Sequence, residues 1–223
     1  MLLAVDTSTA QMGLAIYDGS QILSEYAWRS TQGVHHTVEL APAIFESLKR
    51  CGLTMADIQA LGVALGPGSF TSLRVGLSLA KGLALSRHLP LIGIPTLDIL
   101  AAAQPASRLP LVAVLQAGRR RLAVGWYKSS KNGWRTRDSA RVVTIDVLAD
   151  EVQSPVIVCG ELTSADRQKL TEKAYVHLVS PAGSVRRPAV LAELAWSRWQ
   201  AGQVDDQVTL APIYLHVAEA IPS

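Results

Sequence analysis

Short aliphatic runs separated by turn-forming residues open the chain. Leu2 to Val5 reads as a strand closed by Asp6-Thr7-Ser8-Thr9, and Gly13 to Tyr17 reads as a second strand. Asp18-Gly19 is a strong hairpin signal leading to a third strand over Gln21 to Trp28. From His36 the period changes. Val38, Ala41, Ile44, Phe45 and Leu48 recur at three- and four-residue spacing, which predicts a helix to Arg50. Lys49 and Arg50 suit its carboxyl end, and Gly52 suits the position just beyond. A capped helical turn at Thr54 to Asp57 and a strand over Ala60 to Leu65 follow. A tight turn at Gly66-Pro67-Gly68-Ser69 then opens a long helix from Phe70 to Arg87, before a strand over Leu91 to Ile94 and a helix over Leu97 to Ala103. The order β-β-β-α-β-α builds a mixed sheet with helices packed on it.

Gln104 to Pro110 is polar, holds two prolines, and is the best place for a boundary. Beyond it the pattern restarts with an apolar strand over Leu111 to Leu115. A hairpin of Leu122 to Lys128 and Trp134 to Thr136 turns at Asn132-Gly133. Val156 to Cys159 reads as a buried strand, and Thr163 or Ser164 caps a helix running towards Lys173. Pro188 and Gly202 bracket a last helix carrying Leu191, Leu194, Ala195 and Arg198. Both halves open with strands and then add helices. The expectation is therefore an amino-terminal lobe over residues 1–104 and a carboxyl-terminal lobe over 105–223, the last segment crossing back.

Composition narrows the class. A chain of 223 residues that is 49% hydrophobic and 17% charged is long and apolar enough for a packed core. Its 21 basic and 18 acidic residues leave a net charge of +3, which permits an anionic partner without demanding one. Two distant cysteines, Cys51 and Cys159, form neither a disulfide framework nor a zinc motif, and no apolar run has the length of a membrane span. A cytoplasmic protein is expected.

Several motifs carry candidate chemistry. Asp6 and Thr7 sit where a strand turns, a place where phosphotransferases hold a metal-bound phosphate; an Asx turn is the simpler reading. Gly66, Gly68 and Ser69 precede a helix amino terminus, where unpaired N–H groups attract anions, yet Ser-Phe-Thr replaces the Gly-Lys-Ser/Thr ending of a Walker loop. A structural turn and a ligand loop both fit. Gly76 and Gly82 lie inside the helix that follows, each costing about 1 kcal/mol relative to Ala, so close approach of another backbone must offset them. His35 and His36 are adjacent and lack metal-ligand spacing. Residues 117–141 hold Arg119, Arg120, Arg121, Lys128, Lys131, Arg135, Arg137 and Arg141 against Asp138, with Trp126, Tyr127 and Trp134 interleaved. That is either an RNA-contacting hairpin or a solvated face. No Ser-His-Asp, Cys-His or paired-carboxylate arrangement is present, so no catalytic residue is assigned.

LLAVDTST, HHTVELAP, ALGVALGPGSFTSLRVGLSLAKGLAL and PLIGIPTLDIL together resemble the TsaB (YeaZ) family, and the resemblance returns at Ala211 to Leu215. It implies a two-lobed actin-like α/β fold (ribonuclease H-like, ASKHA) with mixed β-sheets and flanking helices. It further implies a non-catalytic scaffold for TsaD in forming N6-threonylcarbamoyladenosine at position 37 of tRNAs reading ANN codons. The ATPase TsaE is an implied second partner, tRNA is met through the complex, and a homodimer can form through a similar helical face. The interface implied lies on the helices His36–Arg50 and Phe70–Arg87, with Val38, Ala41, Phe45, Leu73, Gly76, Leu77 and Ala80 as candidates. Weak ATP or ADP binding with Mg is implied at the complex interface. Where many members have an Asp-Ala-Arg-type segment, this chain has Gln116-Ala-Gly-Arg119. The competing reading is a small actin-like ATPase or phosphotransferase using Asp6 and the 66–71 loop.

Overall fold

The computed structural model describes residues 1–29, 36–118 and 120–215, with the side chains of residues 36 and 37 left out. Residues 1–96 and 187–213 form one compact unit, and residues 97–186 with residues 214 and 215 form a second. The polar segment Gln104–Pro110 therefore lies inside the second unit, and the last helix belongs to the first.

The first unit is a five-stranded sheet in the order β3-β2-β1-β4-β5, built from β1 (Leu2–Asp6), β2 (Gln11–Tyr17), β3 (Ile22–Arg29), β4 (Ala60–Ala64) and β5 (Leu91–Ile94). β1 to β3 pair antiparallel; β4 and β5 continue parallel to β1. Register explains the packing. Leu3 stands opposite Ile16 and Leu61, and Val5 opposite Leu14 and Val63, so the large aliphatic side chains gather on one face. There they meet Leu40, Ile44 and Leu48 of α1 (His36–Arg50) and Leu77, Ala80 and Ala84 of α2 (Phe70–Arg87). The alternate positions, Ala4, Ala15 and Gly62, are small. They admit the later helix Pro188–Gln200, which packs on β1, β2 and β4; a Cβ on Gly62 would stand 2.7 Å from that of Ala195. The segment after this helix covers the edge strand β5, with Asp205 N–H donating to the Leu91 carbonyl at 3.0 Å and Gly93 N–H to the Asp205 carboxylate at 2.7 Å.

The second unit has the order β11-β10-β6-β7-β8 with β9 on β7. Its strands are β6 (Leu111–Gln116), β7 (Arg121–Ser130), β8 (Gly133–Thr136), β9 (Arg141–Thr144), β10 (Val156–Gly160) and β11 (Val176–Leu178). Leu97, Leu100 and Ala101 of α3 (Thr96–Ala102) pack on Leu111, Ala113 and Leu115. The opposite face, with Val112, Val114 and Val124, receives Leu148 of α4 (Ile145–Glu151) and Leu170 of α5 (Ser164–Thr171). The helix Pro188–Gln200 completes the series as α6. β9, α4 and β11 are short elements for which the hydrophobic pattern gave no reading.

Candidate partner-binding face and the corner above the first sheet

The corner at the end of β1 is closed by its own polar groups. Asp6 is 3% exposed, and its carboxylate accepts Ser8 N–H at 2.8 Å, the Asx turn of the simpler reading. Thr7 Oγ1 donates to the Ser72 carbonyl at 2.7 Å, Gly66 N–H donates to Thr96 Oγ1 at 2.9 Å, and Ser69 N–H donates to the Ser8 carbonyl at 2.7 Å. The hydroxyls of Ser8 and Thr96 share a 2.7 Å hydrogen bond. Gly66 takes φ +104° at the start of the turn, and a Cβ on Gly68 would land on the Ser8 carbonyl oxygen. Ser69 caps α2 through Ser72 N–H. A phosphate needs free donors and room between two such turns. Here Asp6, Thr7, Gly66, Gly68 and Ser69 are brought together, four of them bonded to Ser8, Ser72 or Thr96 of the same corner.

Gly76 belongs to the same corner: a Cβ there would land on Thr7 Oγ1. Its close neighbour is the chain's own first turn. Leu73, Leu77 and Ala80 share its stripe and are 1%, 5% and 2% exposed. The expected interface stripe of α2 is therefore corrected: Leu73, Gly76, Leu77 and Ala80 are core, because i, i+3, i+4, i+7 spacing marks the face that meets the sheet. The outward side of α2 carries Phe70, Thr71, Arg74, Ser78, Gly82 and Leu85 instead. Phe70 and Leu85 are more than half exposed, the Arg74 guanidinium lies 3.8 Å from the Phe70 ring centre, and Gly82 faces open space.

On α1 the expected residues do face outward. Val38 and Phe45 are 67% and 69% exposed, and Ala41 is exposed between them. Two hollows flank this ridge. One of about 530 Å³ is lined by Leu40, Phe70, Arg74 and Val75, and one of about 740 Å³ by Ala41, Phe45, Leu53, Met55 and Leu83. Isolated exposed apolar residues are ordinary; this grouping on two adjacent helices, with apolar hollows, is the form of a docking surface.

In the second unit the aromatics of the basic stretch separate. Tyr127 is buried, donating its hydroxyl to Asp98 at 2.7 Å, and Trp134 donates to the Gln104 carbonyl at 3.0 Å. Burial holds the Asp98 carboxyl above its ordinary pKa and pushes the Cys159 thiol up to about 12. Gln116 donates to the Glu161 carbonyl and to the Asp166 carboxylate, both at 3.1 Å. An acidic residue at 116 would face Asp166 as like charge, which accounts for the amide in this chain. Arg119, His35 and His216 lie outside the described residues, as does the His36 side chain. Among the described residues no three His, Cys, Asp or Glu side chains group closely enough to share a metal ion, and no helix is long and apolar enough to cross a membrane.

Two mixed sheets of this order, each with helices on both faces, define an actin-like α/β protein. A solved YeaZ from Pseudomonas aeruginosa superposes with TM-score 0.79 at 22% identity, covering 96% of this chain and 99% of that one. The ROK hexokinase from Thermus thermophilus follows the same fold at TM-score 0.51 and 10% identity, covering 89% and 99%. The family whose model matches residues 22–197 is described as TsaD, tRNA N6-adenosine threonylcarbamoyltransferase. The tRNA threonylcarbamoyladenosine biosynthesis protein TsaB of Bacillus subtilis is 30% identical over 227 residues, spanning 98% of this chain and 95% of that protein. The chain belongs to the TsaB (YeaZ) family.

Proposed function

We infer that the chain acts in the synthesis of N6-threonylcarbamoyladenosine at position 37 of tRNAs reading ANN codons, as the non-catalytic partner of the transferase TsaD. The observation that carries this reading is the outward apolar ridge of Val38, Ala41 and Phe45 on α1, continued by Phe70 and Leu85 on α2. Stable interfaces bury roughly 1,200–2,000 Å² in total around such apolar anchors. Likeness to TsaB over nearly the whole chain supplies the pathway. The scaffold reading is also supported by the corner at Asp6, Thr7 and Gly66–Ser69, where groups that a phosphotransferase would turn to phosphate are bonded to Ser8, Ser72 and Thr96. TsaE and a second copy of this chain are further partners under this reading. Any ATP or ADP with Mg then belongs to the assembled complex. Cys51 and Cys159 are free thiols, which agrees with a reducing cytoplasm.

Reconstitution tests it. TsaD, threonylcarbamoyl-adenylate and tRNA are assayed for modified adenosine with and without this chain. Modification should depend on the chain and be lost with Phe45→Glu. Equal modification in its absence would remove the proposed role.

A further inference from the structure

We propose that the β7–β8 hairpin of the second unit makes direct contact with the phosphodiester backbone of RNA. The inference rests on the reading above that the complex works on a tRNA. It adds a contact made by this chain itself.

Strand register sets the surface. Lys128 stands directly opposite Arg135 across the antiparallel β7–β8 pair. Both are exposed, and among the described residues neither has a carboxylate within ion-pair distance. Like charges directly opposed across strands are destabilising, and nothing in the described chain relieves this pair. A bridging anion would. Lys131 adds a third exposed cation at the turn, which is held by Gly133 at φ +100° and by Ser130 Oγ donating to the Gly133 carbonyl at 2.7 Å.

Period-two alternation places Trp126 on the same face, two residues before Lys128. Arg137 lies over its ring at 5.8 Å and pairs with Asp138 at 3.3 Å, while Arg141 pairs with Glu151. These residues line a hollow of about 260 Å³. That is below the roughly 300 Å³ at which small-molecule sites begin, so a separate metabolite site is the poorer explanation.

The surroundings choose between macromolecules. Ser130, Asn132, Asp138 and Ser139 are exposed neighbours, Asp138 being paired with Arg137, and Ser129 and Thr136 are exposed on the opposite face of the hairpin; no exposed aliphatic side chain lies within residues 128–139. A protein interface needs an apolar core, and a membrane-surface element needs apolar side chains to insert. Ammonium and guanidinium groups on a wet, polar surface beside one half-buried indole match phosphate contacts.

The test measures binding of an unmodified tRNA transcript across a potassium chloride series, for the full chain alone and with TsaD. Wild type is compared with Lys128→Gln/Arg135→Gln. Losing two phosphate contacts should lower the slope of log affinity against log salt by about 1.4–1.8, weaken binding equally for unrelated tRNA sequences, and leave TsaD co-purification unchanged. Lys128→Arg/Arg135→Lys should restore the slope. With no RNA present, the glutamine variant should melt at the same temperature as wild type or higher, since the repulsion is gone. Unchanged tRNA affinity and slope in both settings would overturn the proposal, even with TsaD docking intact. Loss of TsaD docking by wild type would instead count against the scaffold reading, with the chain-alone series still deciding this one.

Discussion

Phe45 and Leu77 carry similar apolar side chains on adjacent helices, yet their expected behaviour is opposite. Leu77 is 5% exposed within the aliphatic face of the first sheet, so Leu77→Ala should cost about 2–5 kcal/mol in chemical denaturation. Phe45→Ala should change stability by no more than about 0.5 kcal/mol, since the ring is solvent-exposed in the chain itself. Gly76→Ala puts a methyl group onto Thr7 Oγ1 and should cost about 1–3 kcal/mol in the same measurement. Asp98 gives a pH signature. Burial raises its folded pKa above the unfolded value of about 3.9, so its contribution favours the fold below that pH and is lost as pH rises through the folded value. Asp98→Asn, which still accepts from Tyr127, should flatten that part of the melting-temperature profile and leave the protein no less stable at neutral pH.

The helices show where sequence pattern informs and where it misleads. α1 is apolar on two sides: Leu40, Ile44 and Leu48 enter the core, while Val38, Ala41 and Phe45 face out. Spacing alone placed Ile44, Phe45 and Leu48 on one stripe, because three- and four-residue intervals also join neighbouring stripes of a helix. In α2 the strongest stripe was core, and the outward one was hidden in the sequence by Arg74, Ser78 and Gly82 among its apolar members. Gly82 meets nothing within 4 Å. Gly82→Ala should therefore raise stability by about 0.5–1 kcal/mol through helix propensity, measured by thermal unfolding with α2 otherwise unaltered. β1, β4 and β5 of the first unit were legible because each is a buried aliphatic run, and β2 and β3 because Asp18-Gly19 marks the turn between them. β9, α4 and β11 were not: each is short and mixes exposed with buried positions, without the continuous aliphatic run that marked β5.

At the scale of the whole molecule, a mixed sheet with packed helices was visible in the order of strands and helices, while the actin-like class and the family came from the resemblance centred on the Gly66–Gly76 block. What the sequence could not give was the direction in which each polar group of that block points. Asp6, Gly68 and Ser69 look like phosphate-site residues in a string, and only the structure shows the Asp6 carboxylate and the Ser69 N–H both turned to Ser8. The division into units was legible in part: the two-proline segment after α3 is internal to the second unit, while the expected crossing back is made by α6 and the residues after it. The central claim is that this chain works through the outward α1–α2 face. Its most direct test is the calorimetric titration of TsaD into wild type, Phe45→Glu and Asp6→Asn. The account predicts that Phe45→Glu weakens binding at least tenfold, about 1.4 kcal/mol, with melting unchanged, and that Asp6→Asn binds as wild type wherever it remains folded. Undiminished binding by a folded Phe45→Glu variant would contradict it.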